Sequence, residues 1–243
     1  MAGQIVDTPT AQEFMQEISK QVSEDELESI AASLEAKAQG FHDLLGHGRA
    51  AALDRDGLRR VLRSVFSSRR KADAIIDLVG ERELIEGISY LLDSTDDLPE
   101  RLDHFAALLI DFPEAAFDLP GELLHFTYPD RFWLWSRWMW DPRIETGSLR
   151  LVVEEEFDLQ GDSRGEVYFK VGEAIAFVNE TGKAAGFTSI GRGLLGIDIF
   201  LACVYAVYMY TVLRLRMTQE FNKIVPPLPE LVRRLLGIHK MEV

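Results

Sequence analysis

The sequence predicts an all-α fold, a compact multi-helix globular array with one short β element near 149–153. Three observations carry this prediction. Apolar residues recur at three- and four-residue intervals over most of the chain, glycines and prolines cut it into helix-length pieces, and the connections between pieces are short. With 243 residues, 47% hydrophobic and 27% charged, the composition excludes a disordered chain or a fibre. We read residues 1–243 as a single helical domain, with 141–162 as the stretch where it would divide.

The elements follow in order. Thr10 with Glu13, and Ser23 with Glu26, have the spacing of capping boxes and mark two helix starts. Behind the second box, Leu27, Ile30 and Leu34 share a face, continued by Phe41, Leu44 and Leu45 until Gly46 and Gly48 stop the pattern around His47. Leu58, Val61, Leu62, Val65 and Phe66 form the next amphipathic set. Ile75, Ile76 and Val79 follow, ended by Gly80, and then Leu84, Ile85, Ile88, Leu91 and Leu92. Pro99 suits a helix first turn, where a missing N–H costs nothing, and opens the segment through Leu109. Pro113 and Pro120 are expected to punctuate two further short segments.

Four tryptophans crowd into 133–140. Between Pro129 and Pro142 the spacing predicts one short helix, apolar on nearly every side, with only Ser136 and Arg137 left polar. Leu149, Leu151 and Val153 alternate and predict the short strand. Tyr168, Val171, Ile175 and Val178 then mark a helical face. A long apolar helix is expected from about Ile197 to Phe221, broken by Pro226, Pro227 and Pro229, before a last amphipathic turn through Leu231, Leu235 and Ile238.

The formal net charge of −14 is unevenly placed. Residues 1–121 carry 12 basic and 24 acidic side chains, whereas 190–243 carry 7 and 4. This balance opposes nucleic acid unless basic groups are concentrated. The nearest concentration is Arg55, Arg59, Arg60, Arg63, Arg69, Arg70 and Lys71, diluted by Asp54, Asp56, Asp73 and Asp77, and it reads as a solvated helix surface. A single cysteine, Cys203, excludes an internal disulfide and any zinc site needing two thiolates. The first residues show no basic segment followed by an apolar run, so the expected setting is cytoplasmic.

Four motifs bear on function. The tryptophan segment reads first as a core helix, since aromatic stripes usually mean packing; in the functional reading Arg131, Trp133, Trp135, Arg137, Trp138 and Trp140 are the candidate binding residues, because Trp and Arg dominate binding energy at interfaces. Gly191-Arg192-Gly193-Leu194-Leu195-Gly196 formally matches a dinucleotide fingerprint but lacks the strand and following βαβ unit that give it meaning, leaving Arg192 as a candidate anion contact at a helix start. Residues 194–213 are long enough to cross a bilayer with Asp198 as the one charge; a buried core helix with Asp198 near its N-terminus is the preferred reading. Glu122 and His125 have the i, i+3 spacing of di-iron bundles, but no second such pair exists, and His42 and His47 are five apart, which is not a one-face spacing. No metal and no cofactor is expected.

These observations point to a protein working by contact with another protein, or with itself, as a subunit, accessory factor or adaptor, with neither nucleic acid nor membrane as partner. A second reading is a helical enzyme or small-ligand protein whose tryptophan-lined pocket uses Glu122, His125, Arg137 and Asp198 as polar groups. A third is a single-pass membrane protein through 194–213.

Overall fold

The structure, a computed structural model, describes residues 5–185, 193–216 and 226–239. Over these residues the fold is all-α. Ten α-helices are present: α1 (Thr8–Gln21), α2 (Glu24–Leu45), α3 (Arg55–Arg63), α4 (Ala72–Val79), α5 (Glu81–Asp93), α6 (Leu98–Leu108), α7 (Pro113–Thr127), α8 (Arg164–Ala185), α9 (Leu194–Arg216) and α10 (Leu228–Leu235). The contacts group into two compact units. The first holds the described residues of Met1–Leu34, Trp138–Asp158 and Glu173–His239, and the second those of Glu35–Arg137 and Leu159–Gly172. The chain passes from one unit to the other within α2 and again within α8.

In the first unit α9 packs on α1 and α10. Residues 196–204 of α9 are buried all round, as the apolar pattern of a core helix requires. An antiparallel bridge between Val6 and Val153 ties the start of the chain to the 138–158 loop, with Asp7 N–H donating to the Val152 carbonyl at 3.0 Å and Glu154 N–H to that of Ile5 at 2.8 Å. Arg233 of α10 donates to Ser29 and Ser33 of α2.

In the second unit α5 packs on α6 and α6 on α7. The α5–α6 approach is close at Gly87, where a β-carbon would stand 2.4 Å from a methyl of Leu108. The centre of the unit is α7, in which every residue from Ala115 to Thr127 is buried.

Several sequence expectations hold in detail. Ser23 and Glu26 form the reciprocal capping box, with Ser23 N–H donating to the Glu26 carboxylate at 3.0 Å and Glu26 N–H to the Ser23 hydroxyl at 3.3 Å. Gly80, at φ 101°, ends α4. Tyr168, Val171, Ile175 and Val178 are all buried on α8.

Others are corrected. The first helix starts before the Thr10 box. Asp7 is its cap, accepting the Thr10 N–H at 3.1 Å, because Pro9 fits within the first turn. Pro120 does not divide two segments; it lies inside the continuous α7. The Ala116 carbonyl, whose helical N–H partner proline cannot supply, accepts instead from the Arg164 guanidinium at 3.4 Å.

The tryptophan helix is absent. Residues 132–136 have no regular structure and 137–139 form a turn. The backbone groups that a helix would pair locally are taken by distant partners. The Phe132 carbonyl accepts from His125, that of Trp133 from the Tyr168 hydroxyl, that of Trp138 from Ser148 N–H and that of Met139 from Leu149 N–H, while Arg137 N–H donates to Asp118. Aromatic residues are also mediocre helix formers, so little opposes this arrangement.

The expected strand at 149–153 is likewise replaced. Leu149–Leu151 is a 3-10 turn that buries Leu149 and Val152, three apart, and only Val153 makes a bridge.

Candidate functional site

The densest polar chemistry lies on α7, in the second unit. Asp118, Glu122 and His125 follow one another at spacings of four and three, so they share one stripe of a helix with no exposed face between Ala115 and Thr127. Each has a partner. Asp118 accepts Arg137 Nη2 at 2.9 Å, Nε at 3.1 Å and the Arg137 backbone N–H at 3.0 Å. Glu122 accepts Lys37 Nζ at 2.8 Å. His125 Nδ1 lies 2.7 Å from the Phe132 carbonyl, which only accepts, so Nδ1 carries the proton.

The Lys37–Glu122 pair is deeply placed. Lys37 is fully buried, and its ammonium stands 3.9 Å from the centre of the Phe126 ring and 5.7 Å from that of Phe41. Burial pushes the Glu122 carboxyl above its ordinary range, and the Lys37 ammonium draws it part of the way back. Lys37 is the residue that a reading of motifs misses. Its signal is positional, since it falls on the buried stripe of α2 between Leu34 and Phe41 and is the one charge there.

Trp133 and Trp135 pack beside this line. The Trp133 indole stacks on Tyr168 with centres 4.7 Å apart and donates its N–H to the Tyr168 carbonyl at 2.9 Å. It rests on Gly172, one helical turn further along α8, where a β-carbon would meet the ring at 2.2 Å. Trp135 is buried against Phe117, with centres 4.9 Å apart, and its carbonyl lies where a β-carbon of Gly121 would stand 2.4 Å away. Tyr168 is fully buried, which raises its hydroxyl above the ordinary tyrosine range. Arg131 is exposed, with its guanidinium 5.5 Å from the ring centres of Tyr128 and Phe132.

The remaining predicted site residues belong elsewhere. In the first unit, Trp140 is buried, Trp138 is half-buried with its ring 6.4 Å from Tyr205, and Asp198 is buried near the start of α9. Tyr210 donates its hydroxyl to the Pro226 carbonyl at 2.6 Å. Gly191 and Arg192 lie outside the described residues.

A second cluster forms where α2, α5 and α7 end. His42 Nδ1 is 3.0 Å from the Thr127 carbonyl at the end of α7. The Tyr128 hydroxyl accepts His47 N–H at 2.9 Å and donates to Asp93 at 3.4 Å. Arg49 donates to the His42 carbonyl at 2.6 Å and Arg101 Nε to the Leu91 carbonyl at 2.8 Å. Cations at helix C-termini offset the negative end of the dipole, and this accounts for the two arginines. It does not account for the histidine pair, whose rings lie 5.0 Å apart at 90°.

Four cations of the basic patch are paired locally. Arg55 pairs with Asp77 and Glu81, Arg59 with Asp56 and Asp73, Arg63 with Asp73, and Lys71 with Glu114. In the first unit a groove of about 440 Å³ is lined by Thr10, Glu13, Phe14, Gln16, Glu17, Lys20 and Val207, none of them a predicted site residue. Among the described residues no three His, Cys, Asp or Glu side chains are placed to hold one metal ion. No protein-family model, curated protein or solved structure matches this chain.

Proposed function

We propose that this chain is a cytoplasmic protein working by protein–protein contact, as a subunit, accessory factor or adaptor, with neither nucleic acid nor membrane as its partner. One observation carries the reading. On α9, burial is continuous through Val204, and from Tyr205 onward one side of the helix leaves the core. Trp138, Tyr205 and Tyr208 then form an aromatic row, with ring centres 6.4 and 6.2 Å apart and Tyr208 exposed. Tyrosine and tryptophan are enriched at interfaces because one ring offers both apolar area and a polar edge.

The acidic balance of residues 1–121 favours a basic partner and would speed its approach. The membrane reading has the length it needs, a 19-residue window from Leu194 to Val212 with mean hydropathy 1.8, but 61% of that window is buried within the protein. Ion pairs to Asp56, Asp73, Asp77, Glu81 and Glu114 offset four cations of the Arg55–Lys71 patch, which weighs against nucleic acid as the partner.

The test combines sedimentation velocity with affinity capture of the intact chain from its source, for wild type and Tyr208→Asp. The reading expects an associated species that weakens with the substitution and with salt. A monomer at all concentrations that captures nothing overturns it. A small-ligand reading is favoured separately by the groove beside Phe14 and Val207, whose volume suits a small molecule. Saturable thermal stabilisation by one metabolite class, abolished by Phe14→Ala, supports that reading.

A further inference from the structure

We propose that His42 and His47 form a two-imidazole binding site for a divalent transition-metal ion of the Zn²⁺ type. Four features of the second unit support it, and none depends on the protein-contact reading.

The first is the fit of the rings. With Zn–N bonds of about 2.05 Å and each imidazole centre about 1.15 Å behind its nitrogen, two rings on one tetrahedral ion have centres about 5.2 Å apart. The observed separation is 5.0 Å. The second is the tautomer of His42. The Thr127 carbonyl can only accept, so Nδ1 carries the proton and Nε2 keeps its lone pair. A ring nitrogen anchored to a backbone carbonyl is the arrangement that orients and strengthens a metal-binding imidazole.

The third is the backbone of His47. α2 ends at Leu45, and His47 sits at φ 55°, in the left-handed region, followed by Gly48 at φ 77°. This turn carries the His47 ring back to His42, which the five-residue spacing on a continuous helix would not. Glycine on either side would take that conformation without strain, yet histidine occupies it and is held there through its N–H to the Tyr128 hydroxyl. The fourth is access, since His47 is exposed and His42 half-buried.

Nitrogen donors select zinc-type ions over magnesium or calcium, which take oxygen. Among the described residues no third His, Cys, Asp or Glu joins the pair, so water or an outside donor completes the coordination. The alternative for the same geometry is an edge-to-face aromatic contact with no ligand.

The experiment is calorimetric titration of the intact chain with Zn²⁺, repeated with Co²⁺ read by visible absorption. Wild type should bind one ion saturably, with nitrogen-ligated d–d bands for Co²⁺. His47→Ala should weaken binding at least tenfold while leaving the far-UV circular dichroism of the metal-free protein unchanged, because that side chain is exposed. His42→Gln, which keeps an N–H for the Thr127 carbonyl, should weaken it equally. Absence of saturable binding in wild type overturns the proposal, as does binding that survives both substitutions. If the His42 variant fails to fold, the His47 variant decides alone.

Discussion

Lys37 and Glu122 are separated by 85 residues in sequence and by 2.8 Å in the fold, with side chains 0% and 6% exposed. At that distance the attraction is about 6 kcal/mol for an effective dielectric constant near 20. Removing each ion from water costs several kcal/mol, so attraction and desolvation nearly cancel. The Phe126 ring, 3.9 Å from the ammonium, adds up to about 2 kcal/mol. The pair as a whole therefore contributes little, whereas half of it alone is costly. Lys37→Met and Glu122→Leu should each destabilise the protein by about 3–5 kcal/mol, because each leaves an uncompensated buried group. The double variant, apolar at both positions, should return to within about 2 kcal/mol of wild type, giving a coupling above about 3 kcal/mol. Urea denaturation of the four proteins at pH 7, followed by far-UV circular dichroism, measures all three differences. Single variants costing under about 1 kcal/mol that simply add would refute the reasoning, since they would mean that the pair is solvated or unmade in solution.

Two further predictions concern the second unit and one concerns the first. Burial raises the Glu122 carboxyl, so its contribution to stability is fully present below the ordinary carboxylate pKa and is lost as pH rises through the folded-state value; the stability of wild type minus that of Glu122→Gln should fall with rising pH, and urea midpoints across a pH series would show a rise if the sign is wrong. Gly172→Ala places a methyl 2.2 Å from the Trp133 ring, so the indole should leave Tyr168, with a red shift in tryptophan emission and a net loss of about 1–2 kcal/mol after the helix-propensity gain; unchanged emission would show that the ring does not lie on α8. Cys203 is fully buried and its thiol is pushed up to about 12, so iodoacetamide at pH 8 should label it only after denaturation, and rapid labelling of the folded chain would mean that α9 opens.

How much of this was legible in the sequence depended on how far each decisive partner lay along the chain. Local signals read correctly: the Ser23–Glu26 box, Gly80 at the end of α4, Pro99 in the first turn of α6 and the buried face of α8 all depend on neighbours within a few residues. The failures share a different cause. Pro120 looked like a break because its compensation comes from Arg164, 48 residues from Ala116. The tryptophan segment has a helical pattern in sequence, but His125, Asp118, Ser148 and Tyr168 take the backbone groups a helix needs, and none of them lies within that pattern.

The candidate site divides along the same line. Glu122, His125 and Arg137 have the chemistry of site residues, and the fold turns that chemistry inward. Each meets a partner on or near α7, so their buried polarity is explained by mutual satisfaction without a substrate. The five-residue spacing of His42 and His47 separates their rings only if α2 continues past Leu45. Gly46 and Gly48 already signalled that it does not, and a histidine between two glycines is placed by the turn that ends the helix, not by the helix. Groups paired on a buried helix are closed to solvent, whereas a side chain carried by a helix terminus is both anchored and open to it. In this chain the polar groups open to an outside ligand therefore lie where α2, α5 and α7 end, not in the middle of α7.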